Sequence, residues 1–134
     1  MLIGLAVVGF LVMLYSCALP GDLPAGLSGD GLAGTYTVNG TDPTGAEYSG
    51  TAVLTVGDAA DTYAIQWIIT GGLQEGTGTL VGDELTVSWS SLDAATGGAS
   101  GTGSYSLADD GRLVGGRSTE GLDGVGSEEL FPEP

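Results

Sequence analysis

The sequence predicts an all-β protein, folded as an eight-stranded antiparallel up-and-down barrel. Three observations predict it. From Ala33 onward apolar residues alternate with period two, and turn signals interrupt the alternation about every eight to twelve residues. The chain has 26 glycines without a collagen-like period, and its other residues lean to Thr, Val, Leu and aromatics, which suit a pleated surface. Behind the leader, no stretch shows a helical period of useful length.

Each strand can be justified in turn. Tyr36 and Val38 alternate in the first, which ends at the turn-rich Asn39–Gly45. Tyr48, Ala52, Leu54 and Val56 share a face in the second, closed by Gly57–Asp61. Tyr63, Ile65, Trp67 and Ile69 form the clearest face, in the third, before Gly71 and Gly72. Gly76, Gly78 and Leu80 share a face in the fourth, and Gly82-Asp83 turns the chain into the fifth, where Leu85, Val87 and Trp89 alternate. The loose stretch Ser90–Ser100 leads to the sixth, with Gly103, Tyr105 and Leu107. Asp110-Gly111 signals a type I′ hairpin, followed by a seventh strand over Leu113–Thr119 and an eighth over Val125–Phe131. On these faces Glu47 and Gln66 point outward. A meander of this kind must close or be capped, because an open sheet leaves two edges. Eight strands make a barrel whose interior side chains just fill or that holds one small ligand; a two-sheet sandwich is the alternative.

The organisation in front of the barrel is equally legible. Residues 1–17 form a leader, 18–32 a Gly/Pro/Asp-rich flexible linker, and 33–131 the barrel domain. Leu2–Tyr15 is an uncharged apolar run of signal-peptide length. Leu14-Tyr15-Ser16-Cys17 resembles the lipobox of bacterial lipoproteins, and that resemblance implies cleavage before Cys17 and lipidation of its sulfur. Tyr15 is larger than the usual residue, and no Lys or Arg lies near the start. Plain secretion with cleavage nearby is a second outcome, and an uncleaved membrane anchor helix a third. All three place the domain outside the cytoplasm, in the cell envelope, lipid-anchored or secreted.

Charge narrows the function classes. Seventeen acids face two arginines, with no lysine or histidine, for a net charge of −15. Such a surface repels phosphate backbones, so nucleic acid is excluded as a partner, and it suits high ionic strength. Cys17 is the single cysteine, so the domain has no disulfide, no thiolate chemistry and no Cys/His zinc site. The glycine motifs do not make a phosphate loop. Gly76-x-Gly78-x-x-x-Gly82 lacks the dinucleotide spacing, a strand follows where a helix should begin, and a P-loop lysine is missing. The glycines read instead as inward positions that let strands coil and make room for Trp or Tyr.

Carboxylate pairs stand at Asp83/Glu84, Asp109/Asp110 and Glu128/Glu129. Neighbours on a strand face opposite ways, so none is an acid–base couple and no enzyme is expected. Asp58 with Asp61, and Asp109 with Asp110, do not match a calcium loop; no metal or cofactor is expected. The aromatics Tyr36, Tyr48, Tyr63, Trp67, Trp89 and Tyr105 are core residues or, if the barrel is hollow, the lining of a ligand pocket.

The strand motifs in order, Gly34–Val56, Tyr63–Ile69, Gly76–Trp89, Gly101–Gly116 and Glu128-x-Leu130, resemble a family of small exported bacterial β-proteins, some labelled fibronectin-binding. The resemblance covers about Gly34–Leu130. It departs at Arg117, where that family tends to have Trp. The architecture is also similar to the calycins, the lipocalin- and avidin-like barrels. The expected function is a non-catalytic, envelope-associated binding module for a small apolar ligand or an extracellular matrix-type protein. The alternative is a structural or cation-buffering acidic lipoprotein without a specific ligand.

Overall fold

A computed structural model describes residues 31–92 and 98–134. The leader, Cys17 and all but the last two residues of the linker lie outside the described residues. The described residues contain no helix; they form eight strands: β1 Gly34–Thr41, β2 Glu47–Val56, β3 Thr62–Ile69, β4 Gly72–Val81, β5 Glu84–Ser91, β6 Ser100–Leu107, β7 Leu113–Arg117 and β8 Ser127–Pro132. Every consecutive pair is antiparallel, and β8 pairs back onto β1 (Val38 opposite Leu130), closing the barrel. Closure leaves no unpaired edge, which removes the sandwich alternative.

Alternation is obeyed almost throughout. Inward positions bury Tyr36, Val38, Ala52, Leu54, Tyr63, Ile65, Trp67, Leu85, Val87, Trp89, Tyr105, Leu107, Leu113 and Leu130 in one core, while Glu47 and Gln66 are exposed. Val56 departs from the expectation. It is 62% exposed, because as the last residue of β2 it stands at the rim, beyond the packed interior.

Two hairpins also differ in detail. Asp110-Gly111 does not make a type I′ turn, which needs positive φ at both central residues. Only Gly111 is positive (φ 90°), and Gly111 N–H donates to Ala108 O while Ala108 N–H donates to Arg112 O. This is a longer loop with its glycine at the left-handed position. The β7–β8 connection is longer than expected, since β7 ends at Arg117 and β8 starts at Ser127.

The paired Gly-Thr-Gly segments find their reason in the register. Trp89 on β5 stands opposite Gly76 on one side and Gly101 on the other; Val87 stands opposite Gly78 and Gly103 in the same way. A Cβ at Gly76 would lie 2.1 Å from Ser88 O, and one at Gly101 3.0 Å from Trp89 Nε1. The two segments therefore flank β5 with side-chain-free positions, and the room goes to the indole.

The ends of the barrel are unlike. Leu32, read from the sequence as the last linker residue, is fully buried and plugs the end where β1 begins. Its carbonyl accepts from Tyr36 OH at 2.7 Å, and its N–H donates to Tyr63 OH at 3.2 Å. The opposite end, where the β1–β2, β3–β4, β5–β6 and β7–β8 connections lie, is the mouth.

Candidate functional site

Just inside the mouth the core turns polar. Period-two alternation carries the inward face of β7 from Leu113 through Gly115 to Arg117, and that of β8 from Leu130 back to Glu128. Both ionic side chains are thereby sent into the barrel, where Arg117 is 6% and Glu128 3% exposed. Glycines again supply the space. Gly103 stands opposite Arg117, and a Cβ there would lie 2.7 Å from Arg117 Cγ. Glu128 stands opposite Gly40 and Gly115.

The Glu128 carboxylate accepts four hydrogen bonds. Oε1 accepts from Tyr105 OH and from Trp67 Nε1 (3.2 Å), while Oε2 accepts from Tyr48 OH (2.6 Å) and Arg117 Nη2 (3.0 Å). Four donors fill the usual acceptor capacity of a carboxylate, which is what a buried charge needs. The Arg117 guanidinium lies 4.4 Å from the Trp67 ring centroid and 4.8 Å from that of Trp89, within cation–π range of both. Its Nη1 donates to Gln74 Oε1 at 2.6 Å. Trp89 Nε1 donates to Ser118 O at 3.1 Å, which fixes the indole from its far side.

The electrostatics follow from burial. Burial is the largest influence on Tyr48 and Tyr105 and the Glu128 charge the next, and both phenols are pushed far above their ordinary range. Burial opposes the Arg117 charge, but Glu128 and the two tyrosines outweigh it, so the guanidinium holds its proton more firmly than usual. Glu128 and Arg117 form a salt bridge in which the opposite formal charges offset each other.

Above it lies a cavity of about 350 Å³ that opens at the mouth. Tyr48, Trp89, Gln74 and Arg117 contribute to its lining from the strands, Ile69 from the end of β3, and Leu122 from the β7–β8 connection. Asp42 and Glu47 stand at its rim on the β1–β2 hairpin. A larger depression of about 590 Å³ lies over Gly40 and Gly115, bordered by Glu47 and Glu129. Tyr48 is the one aromatic residue in its lining, so the mouth cavity is the better-built candidate.

The six aromatics named from the sequence thus divide. Tyr48 and Trp89 line the cavity, Trp67 and Tyr105 lie beneath it holding Glu128, and Tyr36 and Tyr63 are at the plugged end with Leu32. Of the three carboxylate pairs only Glu128/Glu129 divides across a strand, Glu128 pointing in and Glu129 out to Arg112, while Asp83/Glu84 and Asp109/Asp110 are exposed. No group of three or more metal-ligating side chains occurs among the described residues. Arg117 and Glu128 were not among the expected site residues. The alternation that places Leu113 and Leu130 inward carries the signal for both, but charged residues are rarely assigned to a core.

No protein-family model and no curated protein sequence matches the chain. Among solved structures it is similar to a redesigned β-barrel (TM-score 0.64, 18% identity, covering 77% of this chain and 92% of that one). It is also similar to the redesigned barrel mFAP1 bound to DFHBI (TM-score 0.62, 19% identity, 75% and 94%). A third similar structure is a de novo designed fluorescence-activating β-barrel (TM-score 0.57, 19% identity, 75% and 93%). These likenesses show the fold.

Proposed function

We propose that this chain is an exported, envelope-associated, non-catalytic barrel that takes a small, largely apolar molecule into its mouth. The observation that carries the reading is the asymmetry of the barrel. One end is plugged by Leu32, and the other opens on a cavity of about 350 Å³ walled by Tyr48, Trp89, Ile69 and Leu122. That size suits one compact ligand, and such pockets combine apolar walls with a few fixed polar groups. Here those groups are Gln74 and Arg117, held in place before any ligand arrives. The similar designed barrel bound to DFHBI supports the reading, because the same architecture accommodates a small fluorophore. Glu128 supports the absence of catalysis, since four donors leave it no free lone pair to accept a substrate proton.

Tryptophan fluorescence tests this directly, because Trp89 borders the cavity. Titration with a varied set of small ring compounds is expected to give a saturable change for at least one, weakened in Ala46→Phe, which adds bulk at the mouth without a second indole. A flat response across the set overturns the reading.

A further inference from the structure

The charges around the mouth restrict what can enter it. The whole chain has two basic residues, and both are committed. Arg112 pairs with Asp110 and Glu129 on the outer wall. Arg117 is buried against Glu128, and the pair contributes no net charge to the cavity. Arg117 lines the cavity with its charge already paired to Glu128, so no second cation balances Asp42 and Glu47, which border the cavity on the β1–β2 hairpin. Asp42 is held in place by hydrogen bonds from Thr44 N–H (2.8 Å), Thr44 Oγ1 (2.6 Å) and Ala46 N–H (3.0 Å), so its charge is a fixed part of the opening. Glu120 and Asp123 lie in the β7–β8 connection on the same end and add to the field. Beneath these carboxylates, Tyr48 and Trp89 line the cavity with aromatic surface suited to a flat apolar body.

Building on the proposed ligand-binding role, we infer that the mouth selects positively charged ring compounds, an organic ammonium carried on a flat apolar body. The ring would enter between Tyr48, Trp89 and Leu122, and the ammonium would remain at the rim beside Asp42 and Glu47. An anion of the same shape meets two uncompensated carboxylates. A neutral one gains the apolar contacts alone.

The test uses the purified chain and three probes of one shape: naphthylmethyl-trimethylammonium, naphthylmethanol and naphthylacetate. The ammonium is expected to bind roughly tenfold tighter than the alcohol at low salt, and the advantage should shrink as salt screens the rim. The acid should fail to saturate. In the double variant Asp42→Asn, Glu47→Gln the ammonium's advantage over the alcohol should disappear; Asp42 is half-buried and Glu47 exposed, and asparagine keeps the side-chain oxygen that the turn uses. Equal binding of ammonium and alcohol, or preference for the acid, overturns the charge selection and leaves the ligand-binding reading standing. Failure of all three probes to saturate counts against both.

Discussion

Arg117 and Glu128, on the last two strands, meet inside the barrel with Nη2 3.0 Å from Oε2, and the carboxylate takes three further donors from Tyr48, Tyr105 and Trp67. The two residues are eleven positions apart, across the β7–β8 connection, yet their partners come from β2, β3, β4, β5 and β6. One ion pair thus ties most of the barrel together just below its mouth.

Breaking that pair from one side should cost far more than replacing it. Glu128→Gln leaves the Arg117 charge buried without its counter-ion, and a loss of about 3–5 kcal/mol is expected. The double variant Arg117→Met, Glu128→Leu removes both charges and should lose less than Glu128→Gln alone. Urea unfolding of the single and double variants checks the order.

Leu32 should behave as a core residue although it precedes the first strand. It is fully buried, and Leu32→Ala is expected to destabilise by about 2–5 kcal/mol, the range for a large aliphatic side chain cut back in a packed interior. Thermal unfolding measures it. An effect close to zero would return Leu32 to the linker.

Gly40 should resist substitution for a local reason. A Cβ there would sit 2.4 Å from Tyr48 Cζ and 2.5 Å from its hydroxyl oxygen, so Gly40→Ala must push the ring away from Glu128. A loss on the order of 1 kcal/mol is expected from the broken hydrogen bond, and a changed near-ultraviolet circular dichroism spectrum should report the moved ring. Tyr48→Phe should lose a similar amount while leaving the ring in place.

The tyrosines make stability depend on alkaline pH. Tyr36 is pushed up from 10.0 to about 12 by burial and by Tyr63, and Tyr48 and Tyr105 are likewise raised, by burial first and the Glu128 charge next. Each raised phenol favours the folded state fully below the unfolded value near 10, and that contribution is lost as pH rises through the folded value. Absorbance titration of the folded protein should therefore show these three phenols ionising above the ordinary range, with unfolding setting in between about pH 10 and 12.

The strand pattern was legible residue by residue because a strand sends alternate side chains to opposite faces. Leu85, Val87 and Trp89 announce themselves in that way, and so do Gly82 and Gly111 in their turns, whereas the β2–β3 turn takes its left-handed position at Asp61. The same rule reaches Arg117 and Glu128, but composition argues against burying them, and nothing local says that each will find the other. The split of six similar aromatics into plug, support and cavity wall was not legible, since Tyr36 and Tyr48 look alike in sequence.

Alternation and turn chemistry, both local, determine eight antiparallel strands and the face each presents. The tertiary structure alone decides that β8 returns to β1, that Gly76 and Gly101 stand on either side of Trp89, and that Leu32 shuts one end while the Arg117–Glu128 pair floors the other. These are consequences of register around a closed sheet, and register is set by how all the strands fit at once.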